Sequence, residues 1–128
     1  MNTSACKVLV CDDDHDILDM TSTLLAYEGF NVVTQIDSHK VIDQALREWP
    51  DIMLIDIWMP LPGNVITEKI RQMPDLTHIP IILFSAEIDG QNIAEKSGAD
   101  RFIEKPFDLD SLLTTIHELK KITGPELN

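Results

Sequence analysis

The sequence predicts an α/β fold, a doubly wound parallel five-stranded sheet made of five βα units, (βα)5, with strand order 2-1-3-4-5. Three observations predict it. Short, nearly continuous apolar runs recur at residues 8–11, 52–55 and 79–84, and strands that are apolar on both sides belong inside a covered parallel sheet. Segments with helical spacing alternate with these runs and supply the crossovers that parallel strands require. The strand-like runs also end in polar residues, Asp12 and Asp13, Asp56, Ser85 and Lys105, and in such a sheet those ends meet along one edge.

The elements follow in order. After the first strand at 8–11, a helix near 14–28 places Ile17, Met20, Thr21, Leu24 and Leu25 on one face, and Gly29 stops it. Leu18 falls beside that stripe, which leaves two equal readings: an exposed apolar contact for a partner's helix, or a peripheral core residue. The β-branched stretch 31–36 is the second strand, and a helix over about 38–48 closes at Trp49-Pro50, with Trp49 read as a packing residue. The third strand at 52–55 leads to a helix over about 65–72, which ends before Met73-Pro74. The fourth strand at 79–84 is followed by a short helix over about 92–97, stopped by Gly98. The weaker run at 102–103 is the fifth strand. The last helix, capped by Asp108 or Asp110, carries Leu109, Leu112, Leu113, Ile116 and Leu119 and ends before Gly124-Pro125.

A chain of 128 residues, 44% of them apolar, has room for one domain, read as residues 1–128 with a core over about 6–122 and a tail at 123–128. Ten basic against 22 acidic residues give a net charge of −12, which opposes direct binding to nucleic acid or to an anionic membrane. Residues 1–5 lack a charged-then-apolar leader, and no apolar run approaches the roughly 20 residues of a membrane-spanning helix, so a cytoplasmic location is expected. Cys6 and Cys11 should point to opposite faces of the first strand as small buried thiols, and His15, His39, His78 and His117 are scattered as surface residues.

The polar edge carries the chemistry. Three carboxylates within a few ångströms cannot all stay ionised without a cation among them, and hard oxygen donors without cysteine or histidine favour Mg²⁺. Asp56 is then a candidate phosphoryl acceptor. The bland alternative, that the run from Asp12 to Asp14 caps the first helix, accounts for one carboxylate and not for three.

Four segments, taken together, resemble the receiver domain of bacterial two-component response regulators, of the flavodoxin-like fold and of the single-domain, chemotaxis-regulator kind. They are Val8-Leu9-Val10-Cys11-Asp12-Asp13-Asp14, Leu54-Ile55-Asp56-Ile57-Trp58-Met59-Pro60, Ile82-Leu83-Phe84-Ser85-Ala86-Glu87, and Gly98-Ala99-Asp100-Arg101-Phe102-Ile103-Glu104-Lys105-Pro106-Phe107. The resemblance implies that Asp56 accepts a phosphoryl group from a sensor histidine kinase or a histidine phosphotransfer protein. It implies that Asp13 ligates Mg²⁺ directly and Asp12 mainly through water, with Asp56 and the backbone carbonyl of Trp58 completing the set. It further implies a cis bond between Lys105 and Pro106 that aims the ammonium at the phosphoryl group, a phosphoryl hydrogen bond from Ser85, and an aromatic switch at Phe102, whose lack of a hydroxyl should favour the inward pose before phosphorylation. The protein is expected to be a complete phosphorelay switch that binds a downstream protein and is no enzyme beyond its own phosphorylation and dephosphorylation. Two departures stand out: Leu61-Pro62 is a short loop after the acceptor, and the segment from Ser85 to Lys105 is short, which foreshortens the fourth helix. The rivals are a small phosphatase resembling the haloacid dehalogenases, using Asp12-Asp13-Asp14, Ser85 and Lys105, and an adaptor that works without phosphorylation.

Overall fold

The computed structural model of the chain describes residues 6–86 and 89–123. Strands β1 (Lys7–Cys11), β2 (Asn31–Gln35), β3 (Ile52–Asp56), β4 (Ile81–Ser85) and β5 (Arg101–Glu104) form one parallel sheet in the order β2-β1-β3-β4-β5. Every residue of β3 and β4 is buried, as a sheet covered on both faces demands. Their side chains alternate between two cores. One core gathers Leu9, Met53, Ile55, Ile81 and Leu83 beneath helices α2 (Val41–Glu48), α3 (Gly63–Arg71) and α4 (Gly90–Ser97). The other gathers Val8, Val10, Leu54, Ile82 and Phe84 beneath α1 (His15–Tyr27) and α5 (Leu109–Thr123). Cys11 lies in the first core and Cys6 borders the second, so the two thiols are free and on opposite faces, although Cys6 is only half-buried.

Helix α1 buries part of the expected face, Thr21 and Leu25, with Ile17 packed against the second core, but its buried stripe is shifted toward Leu18. Leu18, Thr21 and Leu25 are buried, whereas Met20 and Leu24 are exposed. Leu18 is therefore a core residue, and its reading as an exposed partner contact is overturned. Residues 17, 20, 24 and residues 18, 21, 25 both repeat at helical spacing, and the orientation of the helix decides between them. That orientation starts at Asp14, whose carboxylate accepts the Asp16 and Ile17 N–H groups at 3.0 and 3.3 Å.

A 3-10 turn, Ser38–Lys40, leads into α2, and Asp37 caps the turn through the His39 N–H at 2.9 Å. Trp49 ends α2 in the left-handed region with φ of 51° and its side chain exposed, which corrects its reading as a packing residue. Helices α3 and α4 both begin two residues before the expected starts at 65 and 92. At the end of α5 nearer the sheet edge, Asp108 is the cap: its carboxylate accepts the Ser111 N–H at 2.7 Å, which holds its pKa below the ordinary carboxylate value. The expected leader-free start at 1–5 and most of the tail, 124–128, lie outside the described residues, and among those described no helix is long and apolar enough to cross a membrane. The four histidines are exposed.

At the edge of the sheet remote from the C-terminal strand ends, Arg71 ties the end of α3 to the segments that precede β4 and β5. Its Nε donates to the Gly98 carbonyl at 2.8 Å, Nη1 to the carbonyls of Thr77 and Ile79 at 3.0 and 2.9 Å, and Nη2 to the Asp100 carboxylate at 2.7 Å. Asp100 in turn accepts the Ile81 N–H at 2.8 Å. Planar guanidinium geometry suits such a multi-carbonyl clamp.

Candidate functional site

Strands β1 and β3 are neighbours in register, with Cys11 opposite Ile55, so the residues that follow, Asp12 and Asp56, emerge side by side at the C-terminal edge of the sheet. Both are buried, while Asp13 is exposed. One carboxylate oxygen from each of the three lies within 4.8 Å of the others. Asp14, spent on capping α1, is not in the cluster.

Lys105 reaches the cluster from the end of β5. Its N–H donates to the Ser85 carbonyl at 2.8 Å, the Lys105–Pro106 peptide is cis, and the ammonium lies 4.7 Å from the Phe84 ring centroid. Nζ stands 3.1 Å from Asp12 Oδ2 and 3.3 Å from Asp56 Oδ1. The other Asp12 oxygen accepts the Asp14 N–H at 2.9 Å. One ammonium therefore pairs with two of the three clustered carboxylates. Burial, then the Asp12 charge, push the Asp56 pKa up to about 6 against the opposing pull of Lys105. A hard, all-oxygen donor set with excess negative charge fits a small divalent cation such as Mg²⁺.

The remaining predicted residues sit around this cluster. Ser85 is buried at the end of β4, which lies between β3 and β5. Phe102, opposite Leu83 on β5, is half-buried and rests on Gly90 at the start of α4; a Cβ at Gly90 would overlap its ring. Trp58 is about half exposed in the loop after β3. That loop folds back tightly, with Ile57 donating to the Phe84 carbonyl at 3.0 Å and Gly63 donating to the Ile57 carbonyl at 2.9 Å. A Cβ on Gly63 would run into the Asp56 carbonyl, so α3 can start at this place only with glycine. An apolar depression of about 340 Å³ adjoins Lys105, lined by Ile17, Met20, Ala86, Pro106 and Phe107.

Sequence reasoning missed Ser38. It is buried, and its hydroxyl accepts the Leu61 N–H at 2.9 Å. The only signal available was the pair Asp37-Ser38 ahead of a helix, which reads as a cap and gives no hint of a loop 23 residues away.

The chain is 29% identical over 120 residues to the probable transcriptional regulatory protein TcrX of Mycobacterium tuberculosis, covering 91% of this chain and 50% of that protein. It is 31% identical over 116 residues to the response regulator ArlR of Staphylococcus aureus, covering 88% of this chain and 52% of the relative. The chain thus spans about half the length of these relatives. Among solved structures, the chemotaxis protein CheY4 of Vibrio cholerae matches with a TM-score of 0.84 at 26% identity, over 91% of this chain and 99% of that one. The family model described as the response regulator receiver domain matches residues 8–117, which runs from β1 into α5. Receiver domains are phosphoacceptor switches of phosphorelay signalling, phosphorylated on an aspartate; they bind Mg²⁺ at an acidic pocket and interact with histidine kinases and effector domains. Strand order, acidic edge and sequence agree across that span, and the chain belongs to the response regulator receiver domain family.

Proposed function

We propose that Asp56 takes a phosphoryl group from a phosphohistidine of a sensor histidine kinase or a histidine phosphotransfer protein, and that this change switches binding to a downstream protein. The observation that carries the proposal is the Lys105 ammonium at 3.1 Å from Asp12 and 3.3 Å from Asp56, which joins the ends of three strands in one charged site. In the transfer, an Asp56 carboxylate oxygen bonds to phosphorus as the phosphorus–nitrogen bond breaks, and the electron pair returns to the imidazole. Lys105 exchanges its carboxylate partner for a phosphoryl oxygen, and Ser85 donates its hydroxyl to another. Asp12, Asp13, Asp56 and the Trp58 carbonyl would hold Mg²⁺, which supplies charge neutralisation for the transferring oxygens. Phe102, on the strand beside Ser85, follows as the switch aromatic. The net charge of −12 opposes direct contact with nucleic acid or an anionic membrane surface and supports protein partners.

Intact mass after incubation with acetyl phosphate and Mg²⁺ tests the assignment. One labile phosphoryl group is expected on the parent and none on Asp56→Asn. Equal labelling of the variant would place the acceptor elsewhere, and catalytic turnover of a generic phosphomonoester would favour the phosphatase reading instead.

A further inference from the structure

The loop after Asp56 has few ways to be held. Pro60 and Pro62 have no N–H to give, and the Met59 and Gly63 N–H groups both turn back to the Ile57 carbonyl, at 3.2 and 2.9 Å. Between the prolines, the Leu61 N–H leaves the loop and donates to the hydroxyl of Ser38 at 2.9 Å. Ser38 is 2% exposed and stands in the turn between β2 and α2.

That turn is itself stiffened. The Asp37 N–H donates to the Gln35 side-chain carbonyl at 2.9 Å, and the Gln35 amide donates to Gln44 at 2.7 Å. Gln44, nearly buried on α2, donates to the Thr34 carbonyl at 3.3 Å. The Gln35 backbone carbonyl accepts the Asp12 N–H at 3.3 Å. One hydrogen-bonded turn therefore touches both sides of the acidic cluster: Asp12 through Gln35, and the loop of Trp58 through Ser38.

We propose that Ser38 is a positioning residue for the cation site, its buried hydroxyl fixing the loop that follows Asp56 at a set distance from Asp12. The inference rests on the reading of Asp12, Asp13, Asp56 and the Trp58 carbonyl as the Mg²⁺ ligands. Ser38 touches none of the reacting groups. Its effect passes through the Leu61 amide to a loop whose other end abuts the Asp56 carbonyl at Gly63. Removing a partner bonded directly to a ligand typically lowers metal affinity by about 10- to 100-fold, and Ser38, acting one bond further out, is expected at the low end of that range.

Two measurements on Ser38→Ala test this. Amide hydrogen exchange, without metal or phosphodonor, should show the Leu61 N–H exchanging about tenfold faster while the amides of β3 and β4 keep their protection. Calorimetric titration with Mg²⁺ alone should show a dissociation constant raised about tenfold or more. Ser38→Thr, which keeps the hydroxyl, should restore both. If the alanine variant does not fold, Ser38→Cys keeps the volume with a poorer acceptor and should shift both readouts in the same direction. An unchanged Leu61 exchange rate, or a faster one with unchanged Mg²⁺ affinity, would overturn the proposal. A parent protein that binds no Mg²⁺ at all overturns the cation reading itself and the inference with it, a result distinct from a parent and variant that bind equally.

Discussion

Replacing Asp56 by Asn should stabilise the metal-free domain at neutral pH even as it abolishes phosphorylation. Asp56 is only 4% exposed, and its pKa rises from 3.8 to about 6 because burial and the Asp12 charge outweigh Lys105. A carboxyl with a higher pKa in the folded chain binds its proton more tightly there, so the folded state loses stability as pH rises. The penalty is absent well below pH 3.8, grows through the window up to about pH 6, and is complete above it. A gap of about two pH units amounts to about 3 kcal/mol at pH 7.5 and to about 1 kcal/mol at pH 4.5. Asn has nearly the same shape and no charge, so it escapes the penalty. Urea unfolding in the presence of chelator should show the variant more stable by about 1–3 kcal/mol at pH 7.5, with the gap narrowing at pH 4.5. Saturating Mg²⁺ should reverse the order, because it stabilises the intact carboxylate set. Equal stabilities at both pH values, or a more stable parent in chelator at pH 7.5, would show that Lys105 fully compensates the buried charge and would refute the reasoning.

Two further outcomes are expected. Thr21 is buried in α1 with no hydrogen-bond partner for its hydroxyl among the described residues, so Thr21→Val, equal in shape and wholly apolar, should raise unfolding stability by about 1 kcal/mol in urea titrations. Gly90→Ala should drive the Phe102 ring off the start of α4, because a Cβ there overlaps it; aromatic NMR of the unphosphorylated protein should show the displaced ring, and unchanged Phe102 shifts would mean that the backbone yields instead.

The strand order and the acidic edge were legible because each rests on a local signal that topology then amplifies. An apolar run closed by a carboxylate can be recognised without knowing its neighbours, and a parallel sheet aligns such ends by construction. The lysine was legible for the same reason, from its place after β5. What escaped depends on contacts between distant segments. The rotation of α1 could not be read because two apolar stripes differ by one residue, and only docking against the second core chooses Leu18 over Met20. The early start of α3 at Gly63 runs against helix propensity; glycine is placed there by the Asp56 carbonyl, a constraint invisible in the segment itself. Trp49 in the left-handed region has the same character, since its residue type argues for burial while its backbone turns it outward. Ser38 acts across 23 residues through one hydroxyl, and no periodicity encodes that.

Arg71 has a mechanical consequence for α4. The helix is moored at its C-terminal end, where the guanidinium grips Gly98 and Asp100, whereas its opposite end has no side-chain cap among the described residues and leans on the Phe102 ring through Gly90. It is a lever with its fulcrum remote from the acidic edge and its free end beside it. Eight residues give an arm of about 12 Å, so a swing of about 10° carries the free end through about 2 Å. A shift of the Phe102 ring would thereby be geared into a displacement of that size at the outer surface, while the moored end would stay tied through Arg71 to the segments before β4 and β5.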